Sequence, residues 1–331
     1  MDFRTIGRAA GVALVFATLP TTLCAQDLPE VKLGLLKFGT VNWEAQTIVD
    51  RGLDRKHGFQ LEIVTYGGDD ATKIAMQAGE IEITTGDWLF ASRQRAEGSP
   101  LTFVPFSSSI GAIMVPCNSD IKSLSDLKGK TLGIAGGPLD KSWLMLQALA
   151  EGEYDFSLTD ETEQVFGAPP LLAEKLRQGE LDAGLNYWHY NARLEADGYC
   201  QIVSAQEAAR ELGAEGDISA VGYILNEDWA NAHREVAKGF VAASQEAKAL
   251  LKSSDEAWDA IRPTMNIDTD AEFEALRRRF REGIPERPVV AEEKDTEAVY
   301  RYLARVGGEK LVGPATEMAE GTFWSELKHG S

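Results

Sequence analysis

The chain has 331 residues, 44% of them hydrophobic and 26% charged, with a formal net charge of −19. That is the make-up of a globular protein with room for two domains. Such acidity argues against nucleic acid or anionic lipid as partners, and no segment reaches the roughly 18 consecutive apolar residues of a membrane span.

The first element in chain order is a leader, residues 1–25. Arg4 and Arg8 make a basic start, Ala9 to Leu19 is an apolar run too short to span a bilayer, and Ala25 offers a small residue for cleavage. Cleavage after Ala25 and export to the periplasm are expected. Lipidation at Cys24 would need a small residue before it, and Leu23 stands there. The mature chain keeps Cys117 and Cys200. In an oxidising compartment they could form a disulfide or remain as two buried thiols, and their separation makes neither a metal nor a redox motif.

From residue 31 short apolar runs alternate with helical periodicity. VKLGLL (31–36) reads as a strand and 42–58 as a helix with an Asn cap and a Gly stop. QLEIVTY (60–66) is a strand, 68–79 a helix capped by Asp69 or Asp70, IEITT (81–85) a third strand, and a helix begins at FASRQRAEG. The unit recurs about a hundred residues later: strand 130–137, helix from Lys141, strand 163–168, helix 170–180, strand 181–187. AGEIEITTGDW (78–88) matches QGELDAGLNYW (178–188), each with a Trp nine residues after its Gly. Strand–helix alternation with short connections predicts parallel α/β sheet, here in two similar lobes. Residues 101–118 are the expected crossing between lobes and 218–226 the return. The rest, with helices over 227–251 and 269–284, is expected to pack back onto the first lobe.

No HExxH, GxSxG, CxxC or GxGxxG occurs. GKT at 129–131 is not a phosphate loop, because Leu124 stands where its leading Gly belongs and a strand follows where a helix should. His57, His189, His233 and His329 are too scattered for a metal site. Tryptophan placement is distinctive instead. Trp43, Trp88, Trp143 and Trp188 each follow the C-terminal end of a predicted strand, the edge where ligands bind in open parallel sheets. Converging from two lobes, four indoles would clasp a flat solute. Trp229, Trp258 and Trp324 read as core of the helical tail. Lys37 and Lys141 would add cations for an acidic group, with Asn42, Ser108, Tyr187 and His189 as polar neighbours. Asp87 and Asp140 would repel an anion unless they pair with those cations.

GLDRKHGFQLEIVTYGGDDATKIAMQAGEIEITTGD, SDIKSLSDLKGKTLGIAGG and LLAEKLRQGELDAGLNYW together resemble the substrate-binding proteins of ABC transporters for nitrate, sulfonates, taurine and pyrimidine precursors, the NMT1/THI5-like family. The resemblance implies a bilobal periplasmic-binding-protein fold of type II, two α/β lobes joined by two crossover strands: lobe 1 from residues 26–112 and 226–331, lobe 2 from 113–225. It implies a monomer that hands a small ligand to an inner-membrane permease, with no catalytic cofactor and no enzymatic activity. GGPLDKSW and NYWHY depart from the family's small oxyanion-binding residues. They resemble members that bind pyrroloquinoline quinone, so a planar anion of that kind is the expected ligand, with a sulfonate, taurine or nitrate anion or a sensing role as alternatives. Some relatives synthesise a pyrimidine, but their His and cysteine-rich iron-binding segment is not visible here.

Overall fold

The structure, a computed structural model, describes Met1 and residues 28–329. The expected leader after Met1, with its cleavage site, lies outside the described residues. Ten strands follow: β1 (Glu30–Leu36), β2 (Gln60–Tyr66), β3 (Ile83–Gly86), β4 (Leu101–Ser107), β5 (Ala112–Pro116), β6 (Thr131–Ala135), β7 (Glu163–Gly167), β8 (Ala183–Asn186), β9 (Tyr199–Ser204) and β10 (Val221–Asn226). They form two five-stranded sheets, ordered β2-β1-β3-β10-β4 and β7-β6-β8-β5-β9. In each sheet four strands run in one direction, and one interior strand, β10 or β5, runs antiparallel to both its neighbours. The repeat legible in the sequence is therefore a repeat of topology. Inner strands such as AIMVP of β5 are buried almost throughout, as sheet covered on both faces by helices must be.

Local chemistry explains where expected elements shifted. Gly52, at φ 63°, splits the helix expected over 42–58 into Val41–Asp50 and Leu53–Lys56. Gly68, not Asp69 or Asp70, caps the helix Asp69–Gln77. The long helix expected over 227–251 breaks at His233 into Glu227–Ala232 and Arg234–Ser253.

The chain crosses between sheets twice. The first crossing, 108–111, lies within the expected stretch. The return falls within the expected 218–226, but the boundary of lobe 2 comes before Val221 and not after residue 225: Val221–Asn226 hydrogen-bonds into the first sheet between β3 and β4. Buried Gln206 ties the crossings together. Its Nε2 donates to Ser108 O (2.6 Å) and Ile218 O (2.7 Å), and its Oε1 accepts from Ile218 N–H.

The helical tail packs on both lobes, not only on the first. Arg278 and Arg279 of the helix Asp270–Glu282 pair with Glu195 of the second lobe, and Arg193 pairs with Glu272. The helix Val289–Val312, broken at Gly308 (φ 57°, ψ −162°), lies against helices of both lobes. Its Glu292 and Asp295 carboxylates accept the N–H groups of Ser219, Glu215 and Gly216 in the return crossing. Cys117, just past the end of β5, and Cys200 of the neighbouring antiparallel strand β9 form a disulfide. Among the described residues no helix is long and apolar enough to cross a membrane.

Beneath the site, the core of the first lobe holds a charged pair. Glu44, fully buried, faces Lys248 Nζ at 2.5 Å and accepts from Tyr223 Oη (2.8 Å) and Ser244 Oγ (2.6 Å). Lys248 also sits 4.3 Å from the centre of the Phe106 ring. Burial holds the Lys248 ammonium below its usual range despite the attraction of Glu44, and pushes the Tyr223 hydroxyl well above its own.

Candidate functional site

Four helices begin just beyond the C-terminal ends of strands: Val41–Asp50 after β1, Trp88–Ala96 after β3, Lys141–Tyr154 after β6 and Trp188–Ala196 after β8. Their N-termini open onto one cleft of about 490 Å³ between the two sheets. Ser109 to Gly111 and Ala220 to Val221, parts of the two crossings, line it as well. Free N–H groups and the positive ends of helix dipoles therefore meet from both lobes.

Two of these helix ends carry acidic caps. Asp87 accepts from Phe90 N–H (2.8 Å), and Asp140 from the N–H groups of Ser142 (2.9 Å) and Trp143 (3.1 Å). Gly136, at φ 86°, makes room for Asp140, since a Cβ there would lie 2.7 Å from its Oδ2. The other two, Val41–Asp50 and Trp188–Ala196, have no side-chain cap.

The acids and Lys141 do pair, and across the lobes. Lys141 Nζ lies 2.8 Å from Asp87 Oδ2. Burial alone would raise the Asp87 carboxyl, but the Lys141 ammonium and the Phe90 N–H outweigh it and hold it below the usual range. Burial alone would lower Lys141, but Asp87 and Asp140 outweigh that and raise it. Asp140 is raised by burial, which the same ammonium and its two N–H donors only partly offset. A cation on the first turn of a helix is unfavourable by itself; Asp87 of the opposite lobe neutralises it.

Of the predicted site residues, Asn42, Lys141, Tyr187, Trp188 and His189 line the cleft. Asn42 spends its Nδ2 on Leu36 O (2.7 Å) and Gly39 O (2.8 Å), bracing the turn after β1. The other five do not line it. Trp88 is 1% exposed and donates its indole N–H to Ser219 O (3.0 Å), tying the return crossing to the first lobe. Trp143, 3% exposed, points into the apolar core. Trp43, 4% exposed, does meet an indole of the opposite lobe: it stands edge-on to Trp188 with ring centres 6.1 Å apart. Phe280 and Trp258 close around Trp43. Lys37 is exposed beside the Phe38 ring. Ser108 lines an adjoining cavity with Arg210, Gln201 and Arg279, which shares Ser109, Ile110 and Trp188 with the cleft. The expected four-indole clasp is thus corrected: one indole, Trp188, reaches the cleft, because the apolar rings of the others gain more by completing the cores behind the sheet ends.

Sequence reasoning missed Lys73, Phe90, Arg93, Leu139 and Leu311, all of which line the cleft. Lys73 and Arg93 sit in the second turns of helices that begin at the same sheet edge, so the edge rule could have found them had it been carried one turn further. Leu311 comes from the far end of the chain, and no local signal marks it.

His189 gives a pH prediction. Burial, and then the charge of Arg193, lower its pKa from 6.5 to about 4. Between those values the unfolded chain binds a proton that the folded chain refuses, so stability rises with pH across that window. His189→Gln should flatten the rise of Tm between pH 4 and 6.5, measured by differential scanning calorimetry; an unchanged slope would contradict the shift.

A family model described as NMT1/THI5 like matches residues 49–257. Among solved structures, the chain is similar to the periplasmic aliphatic sulphonate binding protein SsuA from Escherichia coli, at 18% identity and TM-score 0.70, over 91% of this chain and 99% of that one. It is similar to the alkanesulfonate-binding protein SsuA from Xanthomonas axonopodis pv. citri bound to MOPS, at 16% identity and TM-score 0.65, over 91% and 99%. A putative periplasmic sulfonate-binding protein from Methylobacillus flagellatus matches at 17% identity and TM-score 0.66, over 92% and 97%. No curated protein sequence matches. At these identities the likeness establishes the fold, which is the periplasmic-binding-protein fold that the resemblance implied.

Proposed function

We propose a function from one premise: this chain belongs to the NMT1/THI5-like family. It is a periplasmic solute-binding protein that captures a small organic anion between its lobes and delivers it to an ABC permease in the inner membrane. The observation that carries this reading is the composition of the cleft. Helix N-termini reach it from both sheets, its charged lining is Lys73, Arg93 and Lys141 against Asp87 and Asp140, and Phe90, Leu139, Tyr187, Trp188 and Leu311 supply apolar surface. The excess of positive charge favours an acid, and the apolar surface favours a carbon body attached to it. The solved relatives named for aliphatic sulphonates and alkanesulfonates agree with that class.

Binding would bridge the lobes and favour the closed arrangement by differential affinity. The four indoles led to the expectation of a flat solute, and the resemblance of GGPLDKSW and NYWHY named pyrroloquinoline quinone. With Trp188 the one indole at the cleft, nothing in its lining selects a planar tricyclic solute over a simpler organic anion. Titration calorimetry against hexanesulfonate, taurine, nitrate and pyrroloquinoline quinone tests the reading. An alkanesulfonate is expected to bind more tightly than nitrate. Binding of nitrate alone, or of none of the four, would overturn the proposal.

A further inference from the structure

We infer that Arg93, assisted by Lys73, forms the subsite that holds the solute's acidic head, and that Lys141 does not. The inference rests on the organic-anion reading above and assigns its recognition chemistry.

Lys141 is the obvious cation by sequence, but its charge is already spent. Asp87 lies at 2.8 Å and Asp140 stands next to it in the chain. An anion brought to Lys141 would displace one carboxylate and face the other. The first lobe offers a cation without that handicap. Among the described residues the Arg93 side chain has no hydrogen-bond or ion-pair partner, although it lines the cleft and is partly buried. A guanidinium in that position presents several donors in a planar fork suited to the oxygens of a sulfonate or carboxylate.

Its stem, moreover, is seated. Gly313, at φ 73°, ends the tail helix against it; a Cβ at Gly313 would lie 2.6 Å from Arg93 Cγ and 3.2 Å from Cδ. The break at Gly308 turns the chain so that Leu311 joins the same wall. A fixed stem with an unpaired head is preorganised for a ligand, because less side-chain freedom is lost on binding. Lys73 lies on the neighbouring helix, with Nζ 5.1 Å from the centre of the Phe90 ring and no ion pair within 4 Å among the described residues. Phe90 and Leu311 then offer apolar surface to the carbon body of the solute. The solute class is a monoacid with an oxyanion head and an apolar tail.

The test compares hexanesulfonate, hexanoate and neutral hexan-1-ol by titration calorimetry on the full mature chain. The wild type is expected to bind at least one of the two acids at least tenfold more tightly than the alcohol. Arg93→Gln should weaken that acid at least tenfold and leave the alcohol unchanged. Arg93→Lys, which keeps the charge but not the fork, should recover part of the loss. Lys73→Gln should weaken the acid by a smaller factor. Thermal melts establish that each variant is folded. If the wild type binds an acid and Arg93→Gln binds it within threefold, the subsite assignment fails while the organic-anion reading stands. Equal loss of acid and alcohol in Arg93→Gln would also overturn the assignment. If the wild type binds neither acid, the organic-anion reading fails and takes the assignment with it.

Discussion

Glu44→Leu is expected to cost about 3–5 kcal/mol of stability, the penalty for leaving a buried charge without its partner. The carboxylate is the only ion-pair partner of Lys248 among the described residues, and Tyr223 and Ser244 both donate to its Oε1. Without it the ammonium would have to shed its proton or draw in water, inside a wall of Phe106 and Tyr223. The double variant Glu44→Leu/Lys248→Met removes both charges and should regain most of the loss, since apolar side chains of similar volume often replace a buried pair at little cost. Urea unfolding followed by circular dichroism measures both. A loss below 1 kcal/mol in the single variant would mean that the pair is not buried as described. Because Glu44 follows Trp43 on the helix that opens the cleft, this pair also sets how firmly that wall is held.

The second large effect is on the lobes. Lys141→Glu would place a third carboxylate between Asp87 and Asp140, and the cleft should open. The radius of gyration from small-angle scattering should rise relative to the wild type. Asp87→Lys added to that variant restores opposite charges across the gap and should bring the radius back. A double-mutant cycle on stability should return a coupling of about 1.5–3 kcal/mol, the range for a hydrogen bond between charged groups. The coupling should be largest between the pKa values of the two groups: as pH falls through the lowered Asp87 value the carboxylate is protonated and the attraction is lost. A radius that does not respond to either variant would show that Lys141 and Asp87 do not bridge the lobes.

Much of the fold was legible because it is written locally. The strand runs, the Gly stops and the paired AGEIEITTGDW and QGELDAGLNYW segments located six of the ten strands as strands, and they include the four whose edges build the cleft. What was not legible depends on distant parts of the chain. The tail's ion pairs from Arg193, Arg278 and Arg279 to Glu272 and Glu195 join segments far apart in sequence, so its packing on the second lobe had no local signature. The tryptophans illustrate the same limit. Their offsets correctly placed them at strand ends, but period and spacing do not say whether a ring at a sheet edge turns toward the gap or back into the core. Trp88 turned back because Ser219 O and Tyr300 wait there. Trp43 stays at the gap but is covered by Trp188 itself. Lys141 lines the cleft, and it is paired with Asp87, the arrangement without which Asp87 would repel an anion.

Whether the solute sits in the cleft between the sheets is read from the emission of Trp188 during a hexanesulfonate titration. A saturable change in tryptophan fluorescence is expected for the wild type and should disappear in Trp188→Phe, because the other six indoles do not line the cleft. A change that persists at full amplitude in Trp188→Phe would place the solute outside this cleft.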